Sequence, residues 1–140
     1  MVIICILGDG HLLCKMLEDI GYNRLMKYAV NSHSDTHKCK SVTDLQMQHL
    51  LDKGIIVGIE EENGIEYGLS KPLGESRNVV EVGLTGLEAY KGLYQSQVIG
   101  VSIGDNLGSS LIDLVVSEDS SRLSVLNSVL KLRNNLNLEE

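Results

Sequence analysis

The chain has 140 residues with a hydrophobic fraction of 43% and a charged fraction of 22%, values that suit one globular core and exclude disorder by composition. Its formal net charge is −7 and its twelve Lys and Arg residues are scattered, which argues against a nucleic-acid interface, where a basic stripe would meet the phosphates. No apolar run approaches the roughly 18 residues needed to span a membrane, so no membrane association is expected.

The apolar start, Met1 to Leu7, is followed at once by Asp9, Gly10 and His11. Lacking a basic leader and a small-residue cleavage site, it reads as a buried strand and not as a signal peptide. Cys5, Cys14 and Cys39 form an odd set without CxxC spacing, consistent with thiols in a reducing cytoplasm. Phe and Trp are absent, so Leu, Ile, Val and Met must build the core.

Taken in chain order, Val2 to Leu7 has the continuous β-branched character of a strand buried on both faces. Gly8 to Gly10 break it, and Leu12, Leu13, Met16, Leu17 and Ile20 then recur at helical spacing up to Gly21. Arg24 to Val30 reads as a second strand and Asn31 to Lys40 as a polar loop. Ser41 with Asp44 approximates a capping box for a helix whose apolar face is Leu45, Met47, Leu50 and Leu51, closed by Gly54. Ile55 to Glu61 and Ile65 to Leu69 flank Asn63-Gly64, a pair suited to a two-residue hairpin turn. Asn78 to Val82 and Gln97 to Ile103 read as buried strands joined by a helix from Thr85 to Tyr94, with the right-handed crossover of a parallel sheet. A short helix is expected over Leu107 to Val116 and a longer one over Ser121 to Leu136, the latter with Leu123, Leu126, Leu130 and Leu132 near helical spacing.

Three features in this order carry a family resemblance: the glycine turn leading to Lys15-x-Leu17-Glu18-x-x-Gly21-Tyr22, the helix end Leu51-x-Lys53-Gly54, and Gly64-x-x-Tyr67-Gly68-x-Ser70. The strand Val79-Val80-Glu81-Val82, with Gly86 beyond it, continues the pattern. Over residues 2–103 the chain resembles the guanylate kinase family. The resemblance implies an α/β fold with a parallel sheet core of the P-loop nucleotide-kinase type and a small β-rich lobe, here reduced in size. It implies a single domain over 1–140, with its core at about 1–30 and 71–140 and its lobe at about 31–70.

The family's phosphate loop follows G-x-x-x-x-G-K-[ST], in which backbone amides wrap the phosphates, the lysine neutralises them and the hydroxyl holds magnesium. This chain has Gly8-Asp9-Gly10-His11-Leu12-Leu13 at that point, shorter, without lysine or hydroxyl, and with the repelling carboxylate of Asp9. In the lobe, Asn31 and the Ser34–Asp35 region stand where the resemblance implies phosphate-binding arginines. The base-reading carboxylate falls on Gly58 and its hydroxyl partner on Leu69. A further tyrosine aligns with His37, and the acid that organises magnesium aligns with Gly83, leaving Glu81 as the nearest carboxylate. Between Asp105 and Ser121 there is no Arg or Lys to serve as a lid. The segment holding Pro72 and Gly74 is likewise shorter than the family's helix.

Gly8 and Gly10, His37, Tyr67, Ser70 and Glu81 are therefore the candidate ligand-binding residues, with no catalytic residue, metal or cofactor assigned. Each has a plain structural reading beside it. The glycines suit an ordinary strand-to-helix turn, Tyr67 a half-buried packing position, and Glu60, Glu61 and Glu62 a solvated hairpin tip. His33, His37 and Cys39 carry zinc-type donors without an evident fourth ligand.

The expected function is a non-catalytic relative that binds a protein partner or a small phosphate-bearing ligand in the former nucleotide cleft. One alternative is a nucleoside monophosphate kinase that finds phosphate contacts through Lys15, Lys27, Lys38 or Lys40. Another is a homo-oligomeric assembly protein that buries a lobe edge or the C-terminal helix against a second copy.

Overall fold

The structure is a computed structural model that describes residues 1–31, 39–74, 76–104 and 109–136. The chain divides into two compact units, Met1–Arg24 with Leu73–Glu140, and Leu25–Pro72.

The first unit is built on a five-stranded sheet. β1 (Val2–Leu7) is buried at every position and lies at its centre. It is flanked by β7 (Arg77–Glu81) and β8 (Val98–Ile103), with β2 (Asn23–Arg24) outside β7 and β9 (Leu114–Val116) outside β8. Every pairing is parallel. A parallel sheet needs cover on both faces, which is why β1 and β8 are apolar without alternation. α1 (His11–Asp19) and α4 (Arg122–Asn135) contribute Leu13, Cys14, Leu17, Val125, Leu126 and Val129 to one core cluster with Val2, Ile4, Ile6 and Ile99. α3 (Leu84–Tyr94) buries Leu87 and Tyr90.

The second unit is a four-stranded sheet in the order β4 (Cys39–Val42), β3 (Lys27–Val30), β6 (Ile65–Ser70), β5 (Ile56–Glu62). β5 and β6 form the expected hairpin about Asn63 and Gly64, whose φ values of 52° and 80° give the turn with two positive angles that matches strand twist. α2 (Asp44–Asp52) packs on one face, where Met47 joins Val42, Ile56, Tyr28, Val30, Leu50 and Leu51.

Several expectations are corrected. Arg24 to Val30 is not one strand: β2 belongs to the parallel sheet and β3 to the lobe sheet, so the chain changes sheets at Leu25 and Met26. Cys39 and Lys40, expected at the end of a loop, form part of β4. The helix cap is Thr43, whose Oγ1 accepts from Gln46 N–H at 3.1 Å while Gln46 Oε1 accepts from Thr43 N–H at 2.9 Å. That reciprocal box outcompetes Ser41, which the pairing with β3 holds in extended backbone. Leu45 is 80% exposed and is not part of the helix's apolar face. Leu114, Val115 and Val116 form a strand where a helix was expected. There Asp113 anchors the segment to β8, its N–H donating to the Gly100 carbonyl at 2.8 Å and its Oδ2 accepting from Gly100 N–H at 2.8 Å. Leu123 is 63% exposed, so α4 buries Val125, Leu126, Val129 and Arg133 in place of the full leucine series.

Among the described residues no helix is long and apolar enough to cross a membrane.

Candidate functional site

In the first unit the site is the carboxyl end of the parallel sheet, the place where open α/β sheets hold ligands. β1 ends at Leu7 and α1 begins at His11, so only Gly8, Asp9 and Gly10 join them. Gly8 has a φ of 95°, and a Cβ there would collide with the Ile103 carbonyl oxygen. Gly10 caps α1 without a side-chain hydrogen bond, and a Cβ there would collide with Ile6 Cγ2. Its N–H donates to the Gly8 carbonyl at 2.9 Å, which closes the turn on itself.

Beside this turn, Glu81 ends β7 and forms an ion pair with Arg24 Nη2. Arg24 Nη1 also lies 3.6 Å from Glu18 Oε1 and 3.5 Å from His11 Nδ1. The Arg24 side chain is only 12% exposed, and its guanidinium is shared between two carboxylates and an imidazole. An arginine so engaged has already spent the charge that an incoming phosphate would need.

In the second unit the relevant surface is the sheet face opposite α2. The registers pair Glu60 with Tyr67, Ala29 with Tyr67 and Lys27 with both Leu69 and Cys39, which places Lys27, Ala29, Cys39, Glu60 and Tyr67 on one face. Lys27 Nζ lies over the Tyr67 ring, 4.6 Å from its centre, a cation–π contact. Burial pushes the Tyr67 phenol above its usual value, with Cys39 and Glu62 adding to the shift. The face therefore carries an ammonium, a phenol and a thiol within one small sheet, with the Glu60 carboxylate buried among them.

The fold is guanylate-kinase-like. The chain is similar in structure to the guanylate kinase of Anaplasma phagocytophilum, with a TM-score of 0.77 over 99% of this chain and 87% of that one, at 11% sequence identity. At that identity the likeness concerns the fold alone. Neither a family model nor a curated protein matches the sequence.

Against this guanylate-kinase-like frame the sequence-derived candidates separate. Gly8, Gly10 and Glu81 come together at the carboxyl end of the core sheet, where both glycines have steric reasons for being there and Glu81 has Arg24 as its partner. Tyr67 lies on the lobe face described above. Ser70 is buried and its hydroxyl donates to the Met26 carbonyl, a structural bond at the start of the lobe. His37 and His33 lie outside the described residues. Asn31, at one of the implied arginine positions, follows β3 with a φ of 54°, and its N–H donates to the Val42 carbonyl at 2.8 Å. Among the described residues no group of three His, Cys, Asp or Glu side chains could hold a metal ion.

Two residues were missed. Arg24 carries no local signal in the sequence, because its role depends on β2 pairing beside β7. Glu60 was assigned to a solvated tip, which describes Glu61 and Glu62, yet Glu60 is only 4% exposed. A two-residue turn at Asn63-Gly64 pairs Glu62 with Ile65, and counting back pairs Glu60 with Tyr67. That count was available from the sequence alone.

The raised phenol yields a first prediction. A group whose folded pKa exceeds its unfolded one contributes stability that is complete below the unfolded value, near 10 for tyrosine, and is lost as pH rises through the folded value. The difference in ultraviolet absorbance between wild type and Tyr67→Phe should therefore show a phenol ionising later than free tyrosine. An earlier transition would contradict the burial of the ring.

Proposed function

We propose that this guanylate-kinase-like domain does not transfer phosphoryl groups and instead uses the Tyr67 face of its small lobe to hold a protein partner or a small ligand. The observation that carries the reading is the three-residue turn after β1. Wrapping a polyphosphate requires several successive backbone N–H groups aimed at one centre, with a lysine beside them. Here the turn is too short for that cradle, the Gly10 N–H is used within it, and no lysine stands at its end.

The lobe face retains chemistry that a ligand can use. Lys27 offers a positive charge and Tyr67 a ring and a hydroxyl. The partner class that fits is one presenting a carboxylate or phosphate to Lys27. This reading places the protein in a soluble cytoplasmic setting, with no resident cofactor.

The test is thermal unfolding with and without millimolar GMP, ATP and magnesium, run beside a phosphoryl-transfer assay. A ligand at one hundred times its Kd adds about 2.7 kcal/mol, readily seen as a shift in Tm. No shift with ATP and magnesium and no nucleoside diphosphate formed are the expected results. Turnover accompanied by an ATP-dependent shift would establish the kinase reading in its place. A GMP shift that Lys27→Ala abolishes, without turnover, would identify the small-ligand form of the proposal.

A further inference from the structure

Asn63-Gly64 is the only asparagine-glycine pair in the sequence, and it forms the two-residue turn between β5 and β6. Both residues are exposed. Apart from chain neighbours, no heavy atom lies within 4 Å of the place a Cβ on Gly64 would take. The ladder ends at the pair Glu62 and Ile65, which leaves the Gly64 N–H outside it. Among the described residues neither that N–H nor the Asn63 side-chain amide has a hydrogen-bond partner.

These are the conditions for a reaction within the chain, because a free backbone nitrogen adjoins a free carboxamide and glycine adds no side chain to obstruct their approach. Loss of the Gly64 amide proton to a solvent base lets that nitrogen attack Asn63 Cγ. The N–Cγ bond forms as the Cγ–Nδ2 bond breaks, and the leaving nitrogen takes a proton from solvent and departs as ammonia. Water then opens the resulting five-membered succinimide. Opening at the side-chain carbonyl gives aspartate on an unchanged backbone, and opening at the main-chain carbonyl gives isoaspartate, whose backbone runs through Cβ and Cγ. Overall one water enters and one ammonia leaves, no atom is oxidised or reduced, and the chain gains a carboxylate. The turn decides what that product does. Its φ values of 52° at Asn63 and 80° at Gly64 match the twist of the strands. Aspartate tolerates the first angle as asparagine does. An extra backbone carbon does not fit a two-residue loop, and that loop sets Glu62 opposite Ile65 and Glu60 opposite Tyr67. The new carboxylate also joins the exposed Glu61, Glu62 and Glu66 at the tip, where like charges oppose one another.

We propose that Asn63 is a site of spontaneous deamidation in the folded protein and that its isoaspartyl product releases the lobe hairpin from its register. The modification is the chain's own chemistry, so it goes beyond the proposed function and holds whatever the lobe binds.

Peptide mapping by mass spectrometry of the full chain, aged near neutral pH both native and unfolded in guanidinium chloride, tests the proposal. In the native chain Asn63 should exchange NH2 for OH at a rate within about tenfold of that in the unfolded chain, because a hairpin tip opens locally at low cost. Reaction only through global unfolding would be slower by about a thousandfold or more at ordinary domain stability. Asn63→Asp carries the same added charge on an unaltered backbone and should keep the wild-type Tm to within about 2 °C, whereas the isoaspartyl chain, isolated by chromatography, should unfold about 5 °C or more below it. A native rate below the tenfold range, or no conversion at Asn63, overturns the proposal, as does an isoaspartyl chain as stable as Asn63→Asp.

Discussion

Gly8→Ala is expected to lower stability by about 4 kcal/mol, combining the strain of a side chain held at positive φ with overpacking against fixed backbone. The reason lies in the crossing of two chain segments. With a φ of 95°, Gly8 turns the backbone directly over the end of β8, and the Cβ of an alanine would occupy the position of the Ile103 carbonyl oxygen. A carbonyl in a central strand cannot swing aside as a flexible side chain can, so relief must come from moving β1 or β8. Gly10→Ala meets only Ile6 Cγ2, a side-chain methyl, and should cost less, about 2 kcal/mol by overpacking. Urea unfolding of the two variants measures both losses. Equal and small losses would mean that the turn is not held by these contacts, and would reopen the view of the glycines as a ligand cradle.

Arg133→Met should cost about 3 kcal/mol, the range for removing one member of a buried, charge-assisted hydrogen-bond network. Arg133 lies on the buried side of α4 with 7% of its surface exposed, and its Nη1 donates to the Tyr22 hydroxyl at 2.7 Å. Its Nε and Nη2 donate to Asn134 Oδ1 at 3.3 and 3.1 Å. Tyr22 lies three residues beyond the end of α1, so this bond ties the C-terminal helix to the segment that leaves the first helix of the core. Methionine keeps much of the apolar stem but leaves the Tyr22 hydroxyl without this donor. Tyr22→Phe removes the same bond while keeping the guanidinium with its Asn134 partner, and should cost less, about 1 to 2 kcal/mol. A double-mutant cycle isolates the pair, and a coupling near zero would show that the two side chains act independently.

These two sites differ in how much of them could be read beforehand. Gly8 and Gly10 were conspicuous because a glycine pair after a β-branched run marks a break. Their sequence context admits ligand binding beside an ordinary strand-to-helix turn, and the structure packs both closely, against Ile103 and Ile6. Locally, Arg133 is one basic residue in the last turn of a helix. Nothing local tells that helix which of its sides faces Tyr22, which is 111 residues away in sequence.

The same division runs through the candidate surfaces. The hairpin, and with it the pairing of Glu60 and Tyr67, follows from Asn63-Gly64 by counting, because a two-residue turn fixes register. The offset taken from the family resemblance points instead to Gly58, which the regular register of the hairpin sets opposite Leu69 and not opposite Tyr67. The cluster of Arg24 with Glu81, Glu18 and His11 was beyond sequence reasoning, since it forms only when a two-residue strand joins the edge of a sheet whose other members lie far along the chain.

By itself, the sequence determined the identity of the elements with strong local signals: the buried central strands, the helix after the glycine turn, the capped lobe helix and the hairpin. In these, backbone propensity, side-chain period and turn chemistry agree over a few residues. Tertiary structure decided what long-range pairing controls: the division of Arg24 and Val30 between two sheets, the conversion of Leu114 to Val116 into an edge strand, the exposure of Leu45, and the neutralisation of Arg24. Each depends on a neighbour supplied from elsewhere in the chain, and hydrogen-bond and charge partners at such separations leave no periodic trace in the segment that receives them.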